Sequence, residues 1–192
     1  MNLMDELGIT QGMLDAFSAK GGSDKAGLDM THPDGDSILN EAIEILEKIP
    51  EGLRLLEVKN TYNIPIKVIK GKEITFNLPD EDTVYIFAPS GKKNPAEILA
   101  LAVACGLREA EHKIVGFTRP SKHLPMEEQA QIIYSKSLDI ILCMCRIADE
   151  IHEKFKLRTV LDIIDELGHG EVYKAFKENK DLTGVGSVFL KD

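Results

Sequence analysis

The sequence contains no tryptophan, and aromatic residues of all kinds make up only 6% of its 192 residues. Aromatic platforms on which bases or sugars could stack are therefore scarce. Clusters of positive charge are also lacking, because 32 acidic residues outweigh 23 lysines and arginines and leave a formal net charge of −9. Nucleic-acid binders neutralise phosphates with clustered lysine and arginine, so the composition argues against a nucleic-acid partner.

Long apolar runs and a disulfide framework are missing as well. No segment approaches the ~18 consecutive apolar residues that span a bilayer, and residues 1–6 are acidic and carry no signal-peptide core. The sequence has three cysteines, Cys105, Cys143 and Cys145, and all lie within apolar helical patterns. An odd number of cysteines in such patterns favours buried thiols in a reducing compartment. We therefore expect a cytoplasmic protein that has no membrane partner.

The composition of the whole sequence is that of a folded domain, with 43% hydrophobic and 29% charged residues. Residues 1–35 combine a short amphipathic helix with a stretch rich in glycine, serine and proline, which predicts a flexible N-terminal arm. Residues 36–192 then form a single domain, long enough to bury a core without help from a disulfide or a metal.

The hydrophobic pattern predicts an α+β fold. A helix of about 13 residues capped by Asp36 or Ser37 comes first, followed by a short helix or turn around residues 53–58. Alternating patterns predict strands at 64–70, 74–78 and 83–87, joined by turns into an antiparallel meander. Four helices follow: one capped by Asn94 that ends near Gly116, and three over residues 126–155, 159–167 and 171–178. The expected architecture is a small three-stranded antiparallel sheet packed on a buried central helix and a long C-terminal helix.

The most informative motif lies at the polar end of the central helix. In zinc peptidases of the zincin type, this helix carries His-Glu-x-x-His, in which two histidines on one face bind the metal and the glutamate polarises a water molecule. Here the corresponding residues are Arg108, Glu109 and His112. Arginine does not lose its proton at working pH, so Arg108 cannot replace the first histidine as a ligand.

The order of elements resembles a family of zincin-like metallopeptidase domains of uncharacterised function. In that family a helix, a strand pair and a third strand lead into a helix reading Leu-Ala-His-Glu-Leu-Arg-His-Ala, and a long acidic helix and a short helix rich in alanine and phenylalanine follow. The resemblance covers roughly residues 36–180, including the ending Tyr173-Lys174-Ala175-Phe176. It implies a zincin-like fold that has lost its peptidase function.

Two alignments with the family motif are open. In the first, Arg108 and His112 stand at the two histidine positions and Glu109 at the base. In the second, which also keeps Ala110 in place and is preferred here, Cys105 and Glu109 stand at the histidine positions. The resemblance further implies an acidic residue from the long helix, for which Asp139 is the nearest match. The predicted vestigial cleft is therefore Cys105, Arg108, Glu109, His112 and Asp139.

Other interpretations of these residues remain open. Glu109 and His112 are typical of a solvated helix face with pairs at three- and four-residue spacing. Glu109-x-x-His112 and Asp149-x-x-His152 also approach the pattern of di-iron bundles, although three strands do not belong in such a bundle. His123 could supply a late metal ligand from the loop after the central helix.

We therefore expect a non-enzymatic, zincin-like domain that binds a protein or a peptide and needs no cofactor. The first alternative is a metal-dependent hydrolase with atypical ligands drawn from Glu109, His112, His123 and Asp139, with zinc as its cofactor and Glu109 as the candidate base. The second alternative is a helical scaffold or dimerisation module, which would display a large apolar patch on its long helix.

Overall fold

The computed structural model of the protein describes residues 32–77, 83–90, 95–117, 120–121 and 123–178. These residues form an α+β fold with six helices and three strands. In chain order the elements are α1 (Gly35–Leu46), α2 (Pro50–Thr61), β1 (Ile66–Lys70), β2 (Thr75–Asn77), β3 (Val84–Ala88), α3 (Ala96–Ile114), α4 (Met126–Phe155), α5 (Thr159–Glu166) and α6 (Gly170–Lys177).

The helices follow the periodicity of the sequence closely. The long helix α4 begins at Met126 and ends at Phe155, as predicted, and α5 stops just before Gly168, whose φ of +81° is the left-handed conformation that glycine adopts after a helix. The predicted caps fit less well. Asp34 occupies the N-cap position of α1, in place of Asp36 or Ser37, and makes no side-chain cap hydrogen bond. Asn94, the predicted cap of α3, lies outside the described residues.

The sheet is mixed, so the predicted antiparallel meander is wrong. The strand order is β1-β3-β2, in which β1 runs parallel to β3 with Ile66 opposite Val84, and β2 runs antiparallel to β3 with Phe76 opposite Ile86. The central position of β3 has a physical reason. Its residues are all apolar or aromatic and every second one is buried, whereas β1 carries two lysines and β2 is only three residues long.

Gly71 makes this topology possible where the chain leaves β1. Its backbone N–H donates to the carbonyl oxygen of Ala88 at 2.9 Å, which extends the pairing of β1 with β3 by one residue. A Cβ atom at this position would lie 2.7 Å from Cβ of Phe87. Because only glycine lacks that atom, the chain can run close to the end of β3 before it turns into β2.

Helix α3 is the centre of the fold, as its uniformly apolar sequence predicts. It packs against α1, α2, β2, β3, α4 and α5, and eleven of its 19 residues are buried. Gly106 allows the closest approach between helix and sheet, since a Cβ there would lie 2.5 Å from Cγ1 of Val84. The buried apolar stretch ends at Leu107, and the polar residues that follow carry the candidate site.

The first described residue, His32, is buried. The Nε2 atom of His32 lies 3.2 Å from the carbonyl oxygen of Pro89, after β3, while its Nδ1 atom accepts the backbone N–H of Asp34. His32 is therefore packed against the domain, although the sequence places it in the flexible arm. Most of that arm, residues 1–31, and the tail after residue 178 lie outside the described residues. Among the described helices, none is both long and apolar enough to cross a membrane.

Candidate functional site

The polar end of α3 lies between α2 and α4. Helix periodicity places Arg108, Glu111 and His112 on adjoining faces, because residues three and four apart are neighbours on a helix. Each of the three side chains reaches a charged partner on another helix. The result is a network of ion pairs that connects α2, α3 and α4.

Two predicted site residues, Arg108 and His112, both contact Asp139 of α4. Arg108 donates to both of its oxygens, from Nε to Oδ2 at 2.6 Å and from Nη2 to Oδ1 at 3.0 Å. Nε2 of His112 lies 2.7 Å from Oδ2 of the same carboxylate. Both carboxylate oxygens are therefore occupied, and the two-pronged geometry is the strong form of an arginine–carboxylate pair.

The network continues to α2 through residues that the sequence analysis missed. Arg108 also pairs with Glu111, and Arg54 donates to both oxygens of Glu111 at 2.7 and 3.0 Å. Arg54 pairs in addition with Glu51 at 2.9 Å. The three-residue spacings of Glu51 with Arg54 and of Arg108 with Glu111 are visible in the sequence, but the contact of Arg54 with Glu111 spans 57 positions and could not be read from spacing.

The network keeps its carboxyl groups ionised. Burial works to raise the pKa of Asp139, but hydrogen bonds from His112 and Arg108 outweigh it, so the pKa of Asp139 falls well below its usual range. The pKa of Glu111 is lowered in the same way, with burial opposed by hydrogen bonds from Arg54 and Arg108. Hydrogen bonding to Asp139 raises the pKa of Arg108, which therefore stays charged throughout the working range.

His112 is buried with one ring nitrogen committed to Asp139 and the other free. Its Nδ1 atom has no hydrogen-bond partner among the described residues, and the ring meets Phe117 edge-on at 5.3 Å between ring centres. An apolar ring offers Nδ1 no hydrogen bond. The histidine thus serves the ion-pair network through Nε2 alone.

The other predicted members of the cleft lie elsewhere. Glu109 turns away from Asp139 and pairs with Lys136 of α4 at 3.0 Å. Cys105 is buried in an apolar groove described below. His123 is exposed on the loop before α4, where its backbone N–H donates to the hydroxyl oxygen of Ser121. The structure therefore brings together Arg108, His112 and Asp139 but separates Cys105, Glu109 and His123 from them.

The di-iron pattern does not come together either. Asp149 accepts the hydroxyl of Tyr173 and pairs with Lys177 of α6, at 2.8 Å in both cases. His152 binds the carbonyl oxygen of Leu157 through Nδ1 at 3.1 Å. Asp149 and His152 therefore connect the C-terminal end of α4 to residues that follow it in the chain, and not to Glu109. Among the described residues, no three histidine, cysteine, aspartate or glutamate side chains are grouped so that they could hold a metal ion.

A second feature is an apolar groove of about 280 Å³ beside β2. Its floor is one stripe of α3, formed by Ile98, Leu101, Ala102 and Cys105 at the spacing of a single helix face. The walls come from β2, α4 and α5, with the lining residues Ile74, Thr75, Phe76, Ile140, Ile141, Met144, Ile163 and Leu167, and with His169 just after α5.

Comparison with family models, curated proteins and solved structures finds no match to this chain.

Proposed function

We propose that this chain is a zincin-like domain without a working metal site, which acts as a binding module for a protein or peptide. The observation that carries the proposal is the two-pronged pair between Arg108 and Asp139, at 2.6 and 3.0 Å. In a zincin-like site the position of Arg108 would belong to a metal-binding histidine. In this chain the permanently charged guanidinium of Arg108 instead binds Asp139, the acidic residue that would complete such a metal site.

The geometry supports the first of the two alignments with the family motif. Positions 108 and 112 both direct their side chains to one carboxylate, as two ligands of a single metal would have to do. Cys105 and Glu109, the pair of the second alignment, face an apolar groove and a lysine respectively. The site is therefore interpreted as a metal position in which an ion pair has taken the place of the cation.

The residues present do not suit a metal ion. Metal ligands must offer free lone pairs, and both oxygens of Asp139 already accept from Arg108. A cation placed there would also face the positive charge of Arg108 at short range.

The binding half of the proposal is supported by the position of the groove. It lies along β2, which is an edge strand of the described sheet. An extended peptide can pair with such an edge through main-chain hydrogen bonds and place alternate side chains in the adjacent groove. Apolar, concave sites of this kind are the usual places where proteins bind their ligands.

Zinc binding to the full chain, measured by native mass spectrometry and by thermal shift, tests the proposal. We expect the wild-type protein to bind no stoichiometric zinc and to hydrolyse no peptide. The Arg108→His variant, which removes the guanidinium and places imidazoles four residues apart, should gain one zinc ion per chain and lose it again when Asp139→Asn is added. Arg158→His is the matched control, because Arg158 is an exposed arginine paired only weakly with Asp162, at 3.6 Å.

Two results would contradict the proposal. One zinc ion per wild-type chain, lost in His112→Ala and accompanied by peptide hydrolysis, would establish the metal-dependent hydrolase instead. A failure of Arg108→His to gain zinc, in a variant that still unfolds cooperatively, would remove the zincin-like interpretation of the site.

A further inference from the structure

Acidic residues adjoin the apolar groove along the chain and form what we call its acidic rim. Five of its lining residues are directly preceded in sequence by a carboxylate side chain: Glu73 before Ile74, Glu97 before Ile98, Asp139 before Ile140, Asp162 before Ile163 and Glu166 before Leu167. None of the lining residues has a lysine or arginine as its direct neighbour in the sequence. Consecutive residues on a helix point about 100° apart, so Glu97 and Asp162, which each precede a groove residue on a helix, lie near the border of the groove.

Three of these acidic residues, Glu73, Asp162 and Glu166, are exposed to solvent. Asp139 is held within the ion-pair network, whereas Glu97 accepts, among the described residues, the neutral hydroxyl of Thr159 at 2.8 Å. Asp162 is more than half exposed, and its guanidinium partner on Arg158 is 3.6 Å away and more exposed still. Such exposed pairs are weak and exchange readily with another cation. The rim can therefore attract positive charge from outside the chain.

An ion pair lies one helical turn beyond the residues that line the groove. Glu109 follows Cys105 on α3 by four residues, and Lys136 precedes Ile140 on α4 by four residues, so both continue the helix faces that line the groove. Their side chains pair at 3.0 Å and are largely shielded from water.

We propose that the groove binds an extended peptide segment of a partner protein in which alternate apolar residues are flanked by lysine or arginine. The apolar side chains enter the groove, the main chain pairs with the edge of β2, and the basic flanks meet Glu97, Asp162 and Glu166. The volume of about 280 Å³ accommodates a few aliphatic side chains rather than a folded element. This inference rests on the proposed binding function and adds the site and the chemistry of the partner.

The test uses fluorescein-labelled decapeptides and the full-length chain, with binding read by fluorescence anisotropy. The first probe alternates valine and threonine over six residues and has two lysines at each end. The second has glutamates in place of the lysines, and the third has proline at the central positions, where it removes main-chain donors. We expect the lysine-flanked peptide to bind, the glutamate-flanked peptide to bind about tenfold more weakly, with a difference that shrinks at high salt, and the proline peptide not to bind.

A matched pair of variants locates the binding site. Leu167 and Leu53 are both exposed leucines, at 56% and 46%, but only Leu167 lines the groove. Leu167→Ala should weaken binding of the lysine-flanked peptide by about tenfold, because it removes apolar surface that the peptide covers. Leu53→Ala should change binding by less than about twofold. Neither substitution touches the ion-pair network, so both variants should fold normally.

Several outcomes would overturn the inference. Absence of binding, equal binding of the two charged peptides, or binding unaffected by Leu167→Ala would each do so. Self-association that Leu167→Ala abolishes would assign the groove to a second copy of the chain, and binding of laurate in place of the peptides would assign it to an acyl chain. If peptides fail to bind while Arg108→His still gains zinc, this inference fails but the zincin-like interpretation of the ion-pair site stands.

Discussion

Arg108 and Asp139 meet through two hydrogen bonds across the seam between α3 and α4, at 2.6 and 3.0 Å, although 31 positions separate them in the sequence. The arginine side chain is 26% exposed and the aspartate 37%, so water screens the pair in part. Breaking this pair should therefore destabilise the protein less than breaking a fully buried pair, but more than breaking an isolated surface pair.

A double-mutant cycle should measure this intermediate strength. Arg108→Gln and Asp139→Asn should each destabilise the protein by about 1–2 kcal/mol, since each leaves charged partners unpaired, and their coupling should be about 1 kcal/mol. Urea denaturation measures the unfolding free energies. The control is the pair Arg158 and Asp162, which is separated by 3.6 Å and mostly exposed, and its coupling should be below about 0.3 kcal/mol. Equal coupling in the two cycles would show that the two-pronged geometry contributes nothing.

The stability of the protein should decrease in acid. The folded state holds Asp139 and Glu111 at lowered pKa values, so the unfolded chain binds protons that the folded chain does not. Their contribution is complete well above the unfolded pKa values of about 4 and is lost progressively as the pH falls through these values toward the lowered pKa values of the folded state. Unfolding free energies measured over this range should fall steeply in the wild type and less steeply in Asp139→Asn.

The control for the acid series is Arg158→Gln, which alters an exposed arginine and no acidic group. It should keep the wild-type pH dependence while changing the absolute stability little. A pH dependence that Asp139→Asn leaves unchanged would mean that the ion-pair network does not hold this carboxyl group ionised.

The three thiols should resist modification in the native protein. Burial raises the pKa of Cys143 and of Cys145 to about 12, and burial also raises the pKa of Cys105 well above its usual value. Because the thiolate is the reactive form, reaction with a disulfide reagent at mildly alkaline pH should be at least about a hundredfold slower than in denaturant, where all three thiols react. Rapid reaction of any one thiol in the folded protein would contradict the buried positions.

Substitution of Gly106 should separate the helix from the sheet. An alanine in the middle of a helix normally stabilises it by about 1 kcal/mol relative to glycine. At position 106, however, the added methyl group would lie 2.5 Å from Cγ1 of Val84, so Gly106→Ala should destabilise the protein by about 1–3 kcal/mol. Gly35→Ala is the control, because the nearest atoms there are 3.4 Å or more away. Urea denaturation of both variants measures the difference, and an unchanged or higher stability for Gly106→Ala would contradict the tight packing.

The helices could be predicted from the sequence because their signals are local. The bounds of α4 match the prediction, and α3 ends at Ile114, close to the predicted Gly116, whose φ of +81° is the left-handed conformation that follows a helix end. The sheet could not be predicted in the same way, because turn residues such as Gly71 are compatible with more than one pairing of strands. In the structure the apolar and aromatic residues of β3 occupy the central position, and the turn signals favoured a meander that does not form.

The candidate site was predictable only in part, for a similar reason. Arg108, His112 and Asp139 do converge, but the contact by which Arg54 joins them through Glu111 cannot be found from spacing. Glu109 was predicted to belong to the vestigial cleft because it lies within the motif of residues 108–112. In the structure it pairs with Lys136 and not with the residues around Asp139. The sequence pattern shows which residues share a face of α3. The ion pairs that they form depend on residues of α2 and α4, which the pattern does not show.

The shortness of β2 limits how another strand can pair with the sheet. An exposed strand edge is a template on which other chains can add, and long, flat edges lead to aggregation. With three residues, β2 offers only a few main-chain groups for such pairing. At this edge of the described sheet, main-chain hydrogen bonds alone therefore hold an added segment weakly, and stable binding requires that its side chains also pack into the neighbouring groove.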